Sequence, residues 1–100
     1  MEESITQFLK ALEINPKDYK TLNNLGASLI VVDRHAEAVQ YLSEALTLDP
    51  YYAQAHNNLG VARQHQGRIE QAIGHFKTAL KNSLKTALTN NLKKEPYTQL

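Results

Sequence analysis

The chain has no cysteine, three prolines, four glycines and a formal charge of +1 across 100 residues. Each scarcity excludes something. Without cysteine there is no disulfide framework and no thiolate metal site. Prolines and glycines this few do not make a linker-rich or disordered chain. A charge near zero supplies no strong field to steer the molecule onto nucleic acid or acidic lipid, so neither is expected as a partner. No run approaches the ~18 apolar residues that span a bilayer. The first residues, MEESITQF, are acidic where a secretory signal would be basic, and lack an apolar stretch. The expectation is a cytoplasmic protein with one modest core.

What the chain does have is a period. Shifted by thirty-four, "NNLG" at 23–26 falls on "NNLG" at 57–60, Pro16 on Pro50, Arg34 on Arg68, Ala38 on Ala72, and Ala45-Leu46 on Ala79-Leu80. Segments 19–52 and 53–86 share eight identical positions, where chance gives roughly two; a fixed period of this size marks a stacked architecture. Within a unit, Leu22, Leu25 and Leu29 are spaced three and four apart, one face of a helix. Ala38, Leu42, Ala45, Leu46 and Leu48 mark a second amphipathic helix. Between them lies a turn, "DRH" in one unit and "QGR" in the other, where Gly67 can take the left-handed conformation and Asp33 takes it less readily. Asn15-Pro16 and Asp49-Pro50 punctuate the ends of helices, and Asp18 is placed as an N-cap. Gly26, Gly60 and the paired alanines let helices approach, while Leu25, Leu42, Leu59 and Phe76 fill the spaces between. One helix pair cannot offset its own ordering entropy, so neighbours must stack.

A thirty-four-residue helix-turn-helix unit with Leu25-Gly26, Ala38, Leu42, Ala45 and Pro50, repeated as Leu59-Gly60, Ala72, Phe76 and Ala79, resembles the tetratricopeptide repeat. Two positions depart from it: the usual large aromatic is Leu22 in one unit and His56 in the other, and Leu84 stands where a closing proline would be. The resemblance implies an all-α, right-handed superhelical array of about six helices. Its expected parts are the second helix of a partial repeat at 1–18, repeats at 19–52 and 53–86, and a capping helix and tail at 87–100. In that arrangement the stripe Phe76, Leu80, Leu84, Leu88, Leu92 turns ~40° at every step, so one straight helix could not bury both ends against one neighbour. A turn near Asn82-Ser83 would resolve this, with Lys93 and Lys94 at the end of the cap and Pro96 closing it. The alternative is a continuous helix from ~69 to ~94 whose leucines meet a second chain. "NNLK" at 90–93 reads as a third copy of the tetrad, slipped by one residue.

Little in the chain suggests chemistry. There is no phosphate-binding glycine loop and no paired-carboxylate motif. The histidines of "HQGRIEQAIGH" are too far apart for a metal site on one helical face. His56 is expected to pack, and His35 and His75 to lie at the surface. Lys77, Lys81 and Lys85 read as a solvated face. No catalytic residue, metal or cofactor is expected, and the chain is not read as an enzyme.

The resemblance implies a concave face lined by Lys20, Asn23, Asn24, Ala27, Ile30, Val31, Gln54, Asn57, Asn58, Val61, Gln64 and His65. A side-chain amide can bond a peptide's N–H and C=O together. A row of them is similar to the asparagine ladder of the repeat domain in protein O-linked N-acetylglucosamine transferases, carried here by Asn24 and Asn58. The other reading of these amides is that they bond neighbouring helices or water. Repeat proteins that grip a C-terminal carboxylate line this face with Lys and Arg; here only Lys20 qualifies. The expected function is a protein–protein interaction module, an adaptor or scaffold binding an extended peptide. Two alternatives stand beside it: self-association through residues 1–14 or 84–92, and a regulatory segment of a larger enzyme.

Overall fold

A computed structural model describes residues 2–94 of the backbone, with side chains to Leu92. Five helices follow one another: α1 Glu2–Ile14, α2 Tyr19–Val31, α3 His35–Leu48, α4 Ala53–His65 and α5 Ile69–Lys94. The described residues contain helices and turns alone.

The helix ends show why the chain breaks where it does. Asp18 caps α2: its carboxylate accepts from the backbone N–H of Lys20 and Thr21 and, at 2.9 Å, from the Thr21 hydroxyl. The Thr21 bonds hold the Asp18 carboxyl below the usual range. Asn15 and Asp49, just before Pro16 and Pro50, accept from the N–H two residues on. The two turns within the repeats share one geometry. Asp33 N–H donates to the Ile30 carbonyl and Arg34 N–H to Leu29; Gly67 N–H donates to Gln64 and Arg68 N–H to Arg63. Both are the paired bonds that close a helix around a left-handed residue, here Asp33 at φ 62 and Gly67 at φ 79. Arg34 and Arg68 each stand just before the second helix of their repeat, and the Arg34 guanidinium grips Glu37 through two bonds of 2.7 and 2.8 Å.

The core is centred on the first repeat. Leu22, Leu25 and Leu29 of α2 and Ala38, Leu42 and Ala45 of α3 are buried with Ile5 of α1 and Ala55 and Leu59 of α4. Gly26 lies against Leu42, and a Cβ built on it would stand 2.5 Å from Leu42 Cγ. Gly60 has the same relation to Phe76. The tetrad's glycine thus recurs because the second helix of each pair runs directly over it.

Of the two courses expected for residues 69–94 the structure takes the continuous one: no turn interrupts Asn82-Ser83, α5 is one helix of 26 residues, and the described residues hold five helices where about six were expected. Asn82 and Ser83 include neither glycine nor proline, and extending an existing helix is inexpensive once nucleated. Buried Ala72, Ala79 and Asn82 tie the first part of α5 to the fold, and every residue from Ser83 to Leu92 is exposed. The rotation of the leucine stripe is resolved by leaving its far end uncovered rather than by folding it back. The expected tail and Pro96 lie outside the described residues, as do the side chains of Lys93 and Lys94.

Candidate functional site

The repeated asparagines have divided roles. Asn23 is 3% exposed, and its Oδ1 accepts a 2.9 Å bond from Asn58 Nδ2, which ties α2 to α4. An amide buried this deeply needs such a partner. Asn24 and Asn57, the other members of the two pairs, are exposed. Asn23 is therefore closed to a groove ligand, a correction to its place among the lining residues. Asn58 is half-buried, and its bond to Asn23 uses one N–H, leaving the carbonyl and second N–H of the amide outside that bond.

The remaining expected residues fall into two groups. Lys20, Val31, Gln54, Gln64 and His65 are exposed; Ala27, Ile30 and Val61 are partly buried. Ile30 packs against the core. Gln54 is oriented by the Tyr52 hydroxyl, which donates to its Oε1 at 3.0 Å. Burial pushes the Tyr52 phenol above its ordinary pKa, and its ring meets Tyr19 edge-on at 5.0 Å. His65 stacks on His35, with ring centroids 4.7 Å apart and planes within 7°, which ties the end of α4 to the start of α3.

Gln54, Asn57 and Asn58 form one wall of a cleft of about 520 Å³. Ala53 extends that wall, and Phe76, Ala79, Leu80 and Ser83 of α5 form the other. Amides face an apolar floor across it. The α5 wall was not among the expected residues, although the repeat offered the signal. Phe76, Ala79 and Leu80 stand thirty-four after Leu42, Ala45 and Leu46, the residues of α3 that belong to the core α4 completes.

The histidines are less exposed than the sequence suggests. His35 and His75 are half-buried rather than at the surface. His56 Nε2 lies 2.9 Å from the Pro50 carbonyl; a carbonyl only accepts, so Nε2 carries the proton and donates. His75 lies 6.0 Å from His56 between ring centroids. Its pKa is lowered first by burial and then by the neighbouring His56 and Arg63. Among the described residues no three His, Asp or Glu side chains gather as metal ligands would, and no helix is long and apolar enough to cross a membrane.

Known proteins place this geometry. The chain is 37% identical over 92 residues to the peroxisomal targeting signal receptor of Saccharomyces cerevisiae, covering 92% of this chain and 15% of the receptor. It is 37% identical over 59 residues to the human cell division cycle protein 16 homolog, covering 59% of this chain and 10% of that protein. The chain thus spans a small part of the length of the relatives it matches. Among solved structures, a MamA structure (MSR-1, C2) superposes with a TM-score of 0.75 at 27% identity, covering 82% of this chain and 47% of that one. Residues 17–85 match the sequence profile described as "Tetratricopeptide repeat". With helix pairs at a thirty-four-residue period and a glycine under each second helix, the chain belongs to the tetratricopeptide repeat family.

Proposed function

We propose that the chain binds an extended segment of a partner protein along the face of α2 and α4, with Asn24 and Asn58 bonding its backbone. The observation that carries this is the Asn58–Asn23 bond. It fixes the Asn58 amide in place before any ligand arrives, so less side-chain entropy is lost on capture. The exposed Asn24, one residue from the buried partner, presents a second amide on the same helix. Lys20 and Val31 flank these with charge and apolar area. Relatives named as receptors for a targeting signal support a module that binds other proteins. The likeness to the asparagine ladder of the glycosyltransferase repeat domains is part of this proposal.

Each amide bond contributes ~0.5–1.5 kcal/mol net, against ~4–15 kcal/mol lost on association. Apolar contact at Val31 and Val61 is therefore part of the binding, and affinity for a short peptide is modest. The test selects peptides from a random displayed library on the intact chain and measures the best binder by calorimetry. Asn24→Ala should weaken it ~2–10-fold with an unchanged melting temperature, because Asn24 is exposed. Asn23→Ala should instead lower the melting temperature, since it removes the buried acceptor. Peptides that bind Asn24→Ala and wild type equally would refute the clamp, as would a library that yields no binder.

A further inference from the structure

The proposed clamp and the cleft between α4 and α5 share a residue. Asn58 bonds Asn23 across α2 and α4, and it also stands in the α4 wall of the cleft. A backbone held at Asn58 therefore passes the cleft, and the side chain beside that peptide unit meets its opening.

The cleft has the chemistry of a side-chain pocket. Its volume of about 520 Å³ falls within the roughly 300–1,000 Å³ of small-ligand sites. None of its lining residues is charged. The amides of Gln54, Asn57 and Asn58 face Phe76, Ala79 and Leu80 across it. Phe76 is half-exposed and Leu80 is 62% exposed, so apolar area is left in water at a concave place. The preceding repeat shows what such a surface takes. Leu42, Ala45 and Leu46 stand thirty-four residues before Phe76, Ala79 and Leu80, and they share a core with Ala55 and Leu59 of α4. Leu59 directly follows Asn58, whose amide bonds Asn23. An amide bonded to an asparagine and an apolar side chain next to it arrive there together.

We infer that the α4–α5 cleft is the specificity pocket of the proposed groove, taking one large apolar side chain of the leucine, methionine or phenylalanine class from the same extended segment whose backbone Asn58 holds. This rests on the clamp described above and adds to it the kind of segment selected. The amides read backbone without regard to sequence, and the cleft supplies the preference. Leu80 and Phe76 provide the contact, while Ala79 is small and leaves depth. A charged side chain is rejected, because entering displaces its water and the lining offers no opposite charge.

The test takes the strongest peptide selected from the displayed library on the intact chain and titrates it by calorimetry against Leu80→Ala, Ser83→Trp and Asn24→Ala. The inference expects the selected peptides to share one large apolar position, and alanine at that position to weaken binding ~10-fold or more. Leu80→Ala should weaken the parent peptide roughly 5-fold and leave the alanine peptide nearly unchanged, since the contact is then already absent. Ser83→Trp fills the cleft and should remove the preference for the apolar residue. Leu80 and Ser83 are exposed, so both variants should melt as wild type does. Asn24 does not line the cleft, which separates the two claims. Weakening by Asn24→Ala alone leaves the clamp standing and overturns the pocket. Weakening by Leu80→Ala and Ser83→Trp alone refutes the clamp and the inference that rests on it. Selected peptides that share a charged residue and no apolar one also overturn the pocket. So does a wild-type chain that sediments at twice the one-chain mass and returns to one-chain mass in Ser83→Trp, which would put a second copy in the cleft.

Discussion

The four glycines form an experiment that the structure specifies in advance. A Cβ on Gly26 would lie 2.5 Å from Leu42 Cγ and 2.6 Å from Cδ2, about 1 Å inside the optimal carbon–carbon separation. Leu42 is fully buried, and the overlap involves its branch point, so rotating the side chain gives no relief without moving α3 off α2. Overpacking of this kind costs ~1–3 kcal/mol. Alanine's better helix propensity returns ~0.8–1.0 kcal/mol. Gly26→Ala is therefore destabilised by about 1 kcal/mol, a loss of ~4–8 °C in melting temperature for a domain of this size. Gly60→Ala creates the same overlap with the Phe76 ring, but Phe76 is half-exposed and its ring can swing toward the cleft, so the two terms nearly cancel. Gly74 has nothing within 4 Å of the built Cβ; Gly74→Ala receives the propensity gain alone and melts several degrees higher. Thermal melts followed by far-UV circular dichroism rank the three. A Gly26→Ala variant as stable as wild type, or less perturbed than Gly60→Ala, would refute the claim that the recurring glycine is a contact between helices.

Two further outcomes follow from local geometry. Asp33 holds φ 62 where its counterpart Gly67 holds φ 79, so Asp33→Gly should stabilise by up to about 1 kcal/mol and Gly67→Asp should do the reverse, both read by chemical denaturation. His75 has a lowered pKa, so below its ordinary value of about 6.5 the unfolded chain takes up a proton that the folded chain resists. Stability from this group is then present at neutral pH and declines as pH falls through that value toward the lowered one. A melting temperature that drops between about pH 7 and 5, with a shallower drop in His75→Gln, is the expected result; identical slopes would remove His75 as the cause.

The features legible in the sequence were those that a single local rule decides. Asp18 caps α2 because its side chain reaches donors two and three residues away. Asp49-Pro50 ends α3 because the chain has no other course there, and Gly26 recurs because an alanine would collide. The course of α5 was not decided locally. Its leucine stripe fits either a turn that folds the segment back or a straight helix that leaves it uncovered, and spacing does not choose between them. Nothing in residues 82–86 breaks a helix, so the chain kept its hydrogen bonds and left Leu84, Leu88 and Leu92 in water. Hydrophobic spacing states which residues want a neighbour; whether the neighbour belongs to the same molecule is not written in it.

The asparagine doublet shows the same limit from the other side. Both members of each pair are amides on the first helix of a repeat, and neither composition nor spacing distinguishes them. What separates them is the next helix in the stack. The first asparagine of one repeat meets the second asparagine of the following repeat, so Asn23 is enclosed by α4 while Asn57 has no such helix over it among the described residues. A doublet of this kind has two jobs set by position. Asn23 joins the first repeat to the second and Asn58 is steadied by that joint, while Asn24 and Asn57 are exposed. On this logic the proposed clamp is confined to Asn24 and Asn58, because Asn23 is enclosed. Asn58 also lines the α4–α5 cleft, so whatever covers that cleft closes over the second amide of the pair.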